Sequence, residues 1–435
     1  MRFCKFSKLL AGVLGIAFAA SIAGCGSISS DQSSSSSSNS SSTPTALMKS
    51  AQTLQTLEAE IKRNLKAIAQ QNAQKSQGVL AAGSNLAVLS PVADTTLVGA
   101  VANVSGASTE AVSTTTVAEL GVDEADLVKN DDKYLYIARQ STSVVPVDTG
   151  VIGGVVTGGS VGSDALFYPT TTSENSIRIM EMQETPAAAV ERGTIKLGST
   201  PVSGLYIKSS DAARELAVIS SAYSWTYGGW YNLGFWGNNN SFNVDLFNVT
   251  TPSSVDKNWS INIDGTYLQS RRINDKLYIV SRYYPYLPNF VAYPTDDASV
   301  KQNEQIIDSL TMDSLLPLHR INGGTASLHV QADQCVLPSG MLIDQGYMPF
   351  IITITTIDMN NPGALDVSCV LGEDSGIYAS TDSLYLYNQS SWDKTYLHKF
   401  DLTAAGARYV ASGSIEGNLG WNNPHLRLSE YQGSL

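Results

Sequence analysis

The chain has 435 residues and a formal net charge of −12, a length that allows one large or two ordinary domains. Charged residues make up only 15% of the chain, and no cluster of lysine and arginine is present to neutralise phosphates, which argues against a nucleic-acid partner. The many Gly, Ser, Thr and Tyr residues are typical of an extracytoplasmic β protein rather than of a helical enzyme.

Residues 1–24 predict an export signal. Three basic residues precede an apolar run over residues 9–20, which is shorter than the ~20 residues of a membrane-spanning helix. The stretch Ile22–Cys25 resembles a bacterial lipobox, and this resemblance implies cleavage before Cys25 and acylation of that cysteine. An ordinary signal peptide is the alternative. The protein is therefore expected to be extracytoplasmic and lipid-anchored to a bacterial membrane, and Gly26 favours the outer membrane or the cell surface.

Three segments precede the main domain. The serine runs in residues 25–46 predict a disordered tether, because such a composition has nothing to bury. Residues 47–77 predict an amphipathic helix, since apolar residues recur every three or four positions from Leu54 to Ile68. This helix either packs on its own domain or forms a stalk, and a coiled-coil partner is the alternative. Residues 78–115 are expected to be an extended linker.

Residues 116–435 contain a fourfold repeat of strand signatures. The first signature is a polar turn followed by alternating β-formers, at Asp132–Ile137, Arg214–Ile219, Asp275–Val280 and Asp382–Tyr387. The second is an alternating strand that ends at a polar residue, at Ile177–Glu181, Val244–Asn248, Ile354–Asp358 and Tyr396–Asp401. Each pair of signatures predicts a unit of about four strands, and one weak helical stretch is expected over residues 303–316. Tandem β units of this kind predict a β-propeller, with a β-sandwich as the alternative.

Three motifs resemble a known family. Residues 117–131, Gly265–Tyr286 and Leu428–Gly433 are similar to the secreted bacterial and archaeal β-propeller-domain proteins that are distantly related to WD repeats. The resemblance covers about residues 114–435 and implies a secreted propeller without an assigned reaction. In that family a segment like Glu430–Gly433 starts a further repeat. The resemblance therefore implies that this chain is truncated relative to the family, as an incomplete propeller with about four blades in an open arc.

No motif in the sequence predicts catalysis, a cofactor or a firm metal site. Gly158–Gly162 matches G-x-S-x-G but lacks the flanking strand and helix of a nucleophile elbow, and the four histidines show no metal-ligand spacing. Asp123, Asp126 and Asp131 belong to an acidic cluster that is a weak calcium candidate, because its spacing differs from a calcium-binding loop. The alternative is that these residues form turns and caps.

Two cysteines and two aromatic clusters complete the candidates. Cys335 and Cys369 remain in an oxidising compartment, where a disulfide is one expectation, although sequence alone does not bring them together. The aromatic residues suit a protein, peptide or glycan ligand, or else cover blade edges. They are Trp225, Tyr227, Trp230, Tyr231 and Trp236 in the first cluster, and Tyr283, Tyr284 and Tyr286 in the second.

Two functions follow as hypotheses. The first is a lipid-anchored β-propeller that acts as a binding or scaffold module. The second is a propeller enzyme, a hydrolase or an oxidoreductase, whose site would lie in further C-terminal blades. A fold alone does not decide between them, because function resides in a site carried by the fold.

Overall fold

Strands in four sheets dominate the structure. The computed structural model describes residues 48–81, 117–140, 174–184, 187–210, 212–221, 240–338, 350–389, 393–420 and 422–435. All of them belong to one compact unit that spans residues 46–435. No helix in these described ranges is both long and apolar enough to cross a membrane.

Each sheet contains a four-stranded antiparallel meander, and we call these meanders blades 1 to 4 in chain order. Blade 1 consists of β3 (Val128–Asn130), β4 (Tyr134–Arg139), β5 (Ser176–Glu184) and β6 (Ala187–Lys196). Blade 2 consists of β7 (Val202–Ser209), β8 (Arg214–Ser221), β9 (Ser241–Asn248) and β10 (Asp256–Asp264). Blade 3 consists of β11 (Thr266–Ile273), β12 (Lys276–Tyr283), β16 (Ile351–Asp358) and β17 (Asp366–Leu371). Blade 4 consists of β18 (Gly376–Ala379), β19 (Ser383–Asn388), β20 (Lys394–Leu402) and β21 (Ala407–Glu416).

The predicted repeat is confirmed. The first signature falls in the second strand of every blade, and the second signature falls in the third strand, so the two signatures pair side by side. In β4, for example, Tyr134 and Tyr136 are buried while Leu135 and Ile137 are partly exposed. This alternation produces the period-2 pattern that is visible in the sequence.

The four blades form an open arc. Three apolar clusters fill the spaces between neighbours: one joins blades 1 and 2, one joins blades 2 and 3, and one joins blades 3 and 4. In the described part of the chain, no apolar cluster and no strand pairing joins blade 4 to blade 1. The propeller fold is therefore present without ring closure, as the resemblance implied.

Most of the helices and strands outside the four meanders are inserted within blade 3. Its connection from β12 to β16 contains α2 (Asp297–Ser309), α3 (Met312–Leu315), β13 (Leu318–Ile321), β14 (Ser327–Leu328) and β15 (Cys335–Pro338). Strands β13 and β14 extend blade 2, whereas β15 runs parallel to β17 at the outer edge of blade 3. The predicted helical stretch 303–316 thus corresponds to two helices, α2 and α3, which Leu310 and Thr311 separate.

The N-terminal arm packs on this outer edge. Strand β1 (Met48–Ser50) pairs with β15, and α1 (Leu54–Ala81) buries Leu57, Ile61 and Leu65 against the insertion of blade 3. The helix begins later than residue 47 because residues 48–50 form a strand and the Thr53 hydroxyl accepts a hydrogen bond from the Thr56 amide. The expected linker over residues 78–115 lies outside the described residues from position 82 onwards, and residues 78–81 belong to α1.

The connections of each blade alternate between two ends of its sheet, because the strands run antiparallel. Connections from first to second strand are tight, as at Asn274–Asp275 in blade 3, and they define what we call the turn end. Connections from second to third strand are long in blades 1, 2 and 3, and they define the insertion end. The last strand of blade 2 passes into blade 3 through Gly265 alone, so the insertion ends of successive blades lie on one side.

Candidate functional site

The family-like motif at residues 117–131, which we call the strap, contacts all four blades. Its Glu119 carboxylate accepts a hydrogen bond from Tyr378 of blade 4, at 2.6 Å. Its strand β2 (Val122–Glu124) pairs with β11, the first strand of blade 3. Asp126 then forms a bridge with Leu205 of blade 2, and the strap ends as β3 of blade 1. The first strands of the blades therefore face a common segment.

Buried charges hold the strap in place. Lys129 is 4% exposed, and its ammonium group donates to Asp123 Oδ1 and to the Glu124 carbonyl, both at 2.6 Å. Arg271 of blade 3 forms an ion pair with Glu124 at 3.2 Å. An unpaired buried charge is strongly destabilising. The Lys129–Asp123 pair therefore stabilises the strap itself, and the Arg271–Glu124 pair stabilises its contact with blade 3.

Asp131 is the most buried carboxylate of the strap. Its Oδ1 accepts hydrogen bonds from the backbone amides of Lys133 and Tyr134, at 2.8 and 2.7 Å. Its Oδ2 accepts from the Tyr136 hydroxyl at 3.0 Å and from Arg214 Nε of blade 2 at 2.8 Å. Burial raises the pKa of Tyr136, and the neighbouring Asp131 charge raises it further. Asp131 thus joins blade 1 to blade 2.

The acidic cluster that was a calcium candidate is used in these contacts. Asp123 pairs with Lys129, Asp131 is surrounded by donors, and Asp126 Oδ1 accepts from the backbone amide of Leu127 at 2.7 Å. Within the described ranges, no group of three or more His, Cys, Asp or Glu residues is arranged to hold a metal ion. The three aspartates occupy turn and pairing positions.

A second feature is an exposed segment at the insertion end of blade 3, residues 284–294, which we call the tyrosine loop. The loop is anchored from below: Leu287 is buried in the core cluster, and Phe290 packs against the same cluster. The Asn303 side chain of α2 bonds both backbone groups of Val291, accepting from its amide at 2.9 Å and donating to its carbonyl at 2.8 Å. These contacts tie the loop backbone to the core cluster and to α2.

The outer surface of the tyrosine loop is aromatic and uncharged. Tyr284, Tyr286 and Tyr293 are 38%, 47% and 41% exposed, and no residue from 283 to 295 is charged. The Tyr284 ring packs edge-on against Phe350, with ring centroids 4.2 Å apart. Rigid tyrosines of this kind offer a large contact area at a low entropic cost on binding.

Arg282, which lies just before the tyrosine loop, forms an ion pair with Asp374, so these two side chains carry no net charge together. Arg282 donates to Asp374 Oδ1 at 3.0 Å, and the Asp374 side chain is 3% exposed. Burial lowers the pKa of Arg282, but the Asp374 charge and the Tyr284 hydroxyl outweigh burial and raise the pKa overall. The Arg282 guanidinium also lies over the Phe350 ring, 5.4 Å from its centroid. The pair therefore supports the ring on which Tyr284 rests.

The structure divides the predicted aromatic residues. Tyr284 and Tyr286 are exposed, whereas Tyr283 is turned inward and its hydroxyl donates to the Ser314 carbonyl at 3.0 Å. The other cluster, comprising Trp225, Tyr227, Trp230, Tyr231 and Trp236, lies outside the described residues, and so does Cys25. In the sequence, each aromatic cluster belongs to the connection that follows the second strand of a blade, β8 or β12. Both connections therefore begin at the insertion end.

The structure joins Cys335 and Cys369 in a disulfide. The two residues are register partners in the parallel pair of β15 and β17, with their Cα atoms 4.4 Å apart. Both side chains lie in the core cluster that also contains the buried face of α1. The disulfide therefore ties the end of the blade 3 insertion, on which β1 pairs, to the blade itself.

Sequence reasoning missed the partners that lie far away in the chain. Glu430, within the Leu428–Gly433 motif, accepts hydrogen bonds from Ser383 at 3.0 Å, Tyr385 at 2.9 Å and Lys399 at 3.0 Å. Burial raises the pKa of Glu430, but these bonds outweigh burial and lower the pKa overall. The contacts of Arg271 with Glu124 and of Asn303 with Val291 were missed as well, because each pair joins separate elements of the fold.

The four repeated sheets, the central strap and the interfaces between neighbouring blades define a β-propeller scaffold. A family model described as "Beta propeller domain" matches residues 112–435. The chain belongs to this β-propeller family. A search of curated proteins gives no match.

Proposed function

We propose that the protein is an extracytoplasmic, lipid-anchored scaffold that binds an uncharged partner through the tyrosine loop. The single observation that carries this proposal is the loop itself, with three exposed tyrosines on a backbone held by Leu287 and Asn303. Exposed aromatic residues on a fixed loop are typical of recognition surfaces.

Two features of the chain support an extracytoplasmic location. The stretch Ile22–Cys25 resembles a lipobox, and the described domain contains a disulfide between Cys335 and Cys369. Disulfides persist mainly in oxidising compartments outside the cytoplasm. Acylation at Cys25 would supply membrane attachment, each buried methylene contributing about 0.8 kcal/mol.

Anchoring and binding are tested separately. Expression in bacteria with labelled palmitate tests the anchor, and Cys25→Ser should abolish labelling. Binding is tested on the Cys25→Ser protein, which is free of the anchor, by sedimentation with envelopes isolated from the same cells.

The matched control uses a tyrosine outside the loop. Replacing Tyr284, Tyr286 and Tyr293 by Ser should remove most of the saturable sedimentation. Tyr431→Ser, which changes a side chain that is 75% exposed, should leave it unchanged. Equal sedimentation of the loop variant and the control would contradict the proposal.

A further inference from the structure

The chain enters the described domain at the same end from which the tyrosine loop leaves. Tyr283 is the register partner of Ile351, and Ile351 of Leu371. In the parallel pair of β17 and β15, Val370 pairs with Val336, so the next residues, Leu371 and Leu337, lie side by side. Leu337 in turn pairs with Lys49 of β1. Tyr283 and Lys49 therefore lie in one row across the sheet, and their neighbours Tyr284 and Met48 lie together at the insertion end.

The distance between these two points is short. Four strand spacings of about 4.8 Å separate β12 from β1, which gives roughly 19 Å. Residues 25–46 precede the domain, and a chain of that length reaches at most about 75 Å. An anchor at Cys25 therefore keeps the insertion end within tens of ångströms of the membrane surface.

The two ends of the molecule also differ in composition. At the turn end, each connection between first and second strands carries an aspartate, among them Asp132, Asp275 and Asp382. At the insertion end the tyrosine loop has no charge. The connections over residues 222–239 and 339–349 contain one charged residue between them, Asp344, whereas the blade 1 connection over residues 140–175 contains Asp148, Asp164 and Glu174.

We propose that the tyrosine loop rests on the headgroup layer of the membrane that holds the anchor, so that the insertion end faces the bilayer. This inference rests on the proposed function and names the partner of the same surface. Tyrosine suits this layer because its ring is apolar and its hydroxyl is polar. Within the loop itself no carboxylate opposes an anionic surface, and the exposed Asp296 and Asp297 follow shortly after it. Charged groups of like sign are repelled, so the tyrosine rings are the part that suits this contact.

The loop is built to make such a contact without reorganising. Leu287 and Phe290 fix it to the core, and Asn303 fixes its backbone at Val291. Three aromatic side chains then project from a backbone that is already tied to the core and to α2, and such preorganisation limits the entropic cost of association.

The experiment compares the two ends of the lipidated full-length protein. A bimane label is placed at Tyr286→Cys in the loop or, as the matched control, at Ser253→Cys, an exposed position in the β9–β10 connection at the turn end. The native disulfide is buried, at 0% and 2% exposure, so the new thiol is labelled without reduction. The protein is reconstituted into phosphatidylcholine vesicles that contain a doxyl-labelled phosphatidylcholine quencher.

We expect quenching at position 286 and none at position 253. Adding Tyr284→Ser and Tyr293→Ser should remove most of the quenching at position 286 while the protein still floats with the vesicles. Equal fluorescence at both positions in floating protein would overturn the inference.

The remaining outcomes separate this inference from the proposed function. Failure to float with the vesicles would instead refute the anchor. Tyrosine-dependent sedimentation with cell envelopes, without quenching in vesicles, would identify a glycan or a protein as the partner. That result would overturn docking on the bilayer and leave the proposed scaffold function standing.

Discussion

The strap and the tyrosine loop are both unusual stretches of sequence, and they are used in opposite ways. The strap is rich in carboxylates, and its Asp123, Glu124 and Asp131 are each paired with a cation from the strap or a blade. The tyrosine loop is free of charge and leaves three rings in contact with solvent. The charged cluster along the first strands of the blades is thus structural, whereas the aromatic cluster at the edge of blade 3 stays exposed.

Removing the Asp131 carboxylate should have the largest effect on stability. Asp131→Ala leaves Arg214 and two backbone amides without their acceptor, and breaking a buried pair costs about 3–5 kcal/mol. The adjacent Asp132→Ala is the control, because Asp132 is exposed. The free energy of unfolding in urea checks both variants. Equal stability of the two would show that the strap does not join the blades.

Removing the disulfide should have the next largest effect. Replacing Cys335 and Cys369 by Ser should lower the free energy of unfolding by about 2–4 kcal/mol, because the unfolded chain gains freedom. Since β1 pairs with β15, limited proteolysis should also release residues 48–81 sooner. A reductant should have no effect on this variant, and an unchanged digestion pattern would contradict the prediction.

Acid should destabilise the fold through two buried histidines. Burial lowers the pKa of His329 to about 3, with a smaller contribution from His319, and burial lowers the pKa of His398 to about 4. Above the unfolded pKa of about 6.5 both states are neutral and nothing is lost. Below it the unfolded chain binds protons that the folded chain does not, so stability falls by about 1.4 kcal/mol per histidine for each pH unit.

The pH effect is checked by urea unfolding at neutral and at mildly acidic pH. The variant with His329→Gln and His398→Gln should start from a lower stability, because it loses native packing, but should show a shallower decline with acid. An identical pH slope in the variant and the natural protein would assign the acid sensitivity to carboxylates instead.

Changes at the exposed face of the tyrosine loop should have the smallest effect on stability. Tyr286→Ala should change the free energy of unfolding by no more than about 0.5 kcal/mol, as at other surface positions. The neighbouring Leu287→Ala should cost about 2–5 kcal/mol, because it opens a cavity in the core. A large loss in Tyr286→Ala would show that this ring is structural rather than available for contact.

Much of the blade architecture was readable from local sequence. The second and third strands were predicted in all four blades, because runs of β-forming residues lie next to polar turns. Burial alternates along β4 but covers both faces of β8, β16 and β19. The recurrence of apolar residues every three or four positions likewise identified Leu57, Ile61 and Leu65 as part of the buried face of α1. The bounds of α1 were less accurate, since the pairing of Met48–Ser50 with β15 depends on residues far away in the chain.

The candidate site was only partly readable. Sequence marked the tyrosines around position 284 but did not separate Tyr283, which bonds Ser314, from the exposed Tyr284 and Tyr286. It marked the acidic cluster but not its partners Arg214 and Arg271, because these come from other blades. The roles of such residues depend on which segments become neighbours.

The sequence by itself determined the repeat, the four-blade count and the polar turns, because these depend on residues close together in the chain. Only the tertiary structure decided that the strap crosses every blade, that Cys335 meets Cys369, and that the chain enters beside the tyrosine loop. The physical reason is that strand alternation and turn chemistry are local, whereas ion pairing, disulfide register and the side on which a loop emerges are set when distant segments pack together.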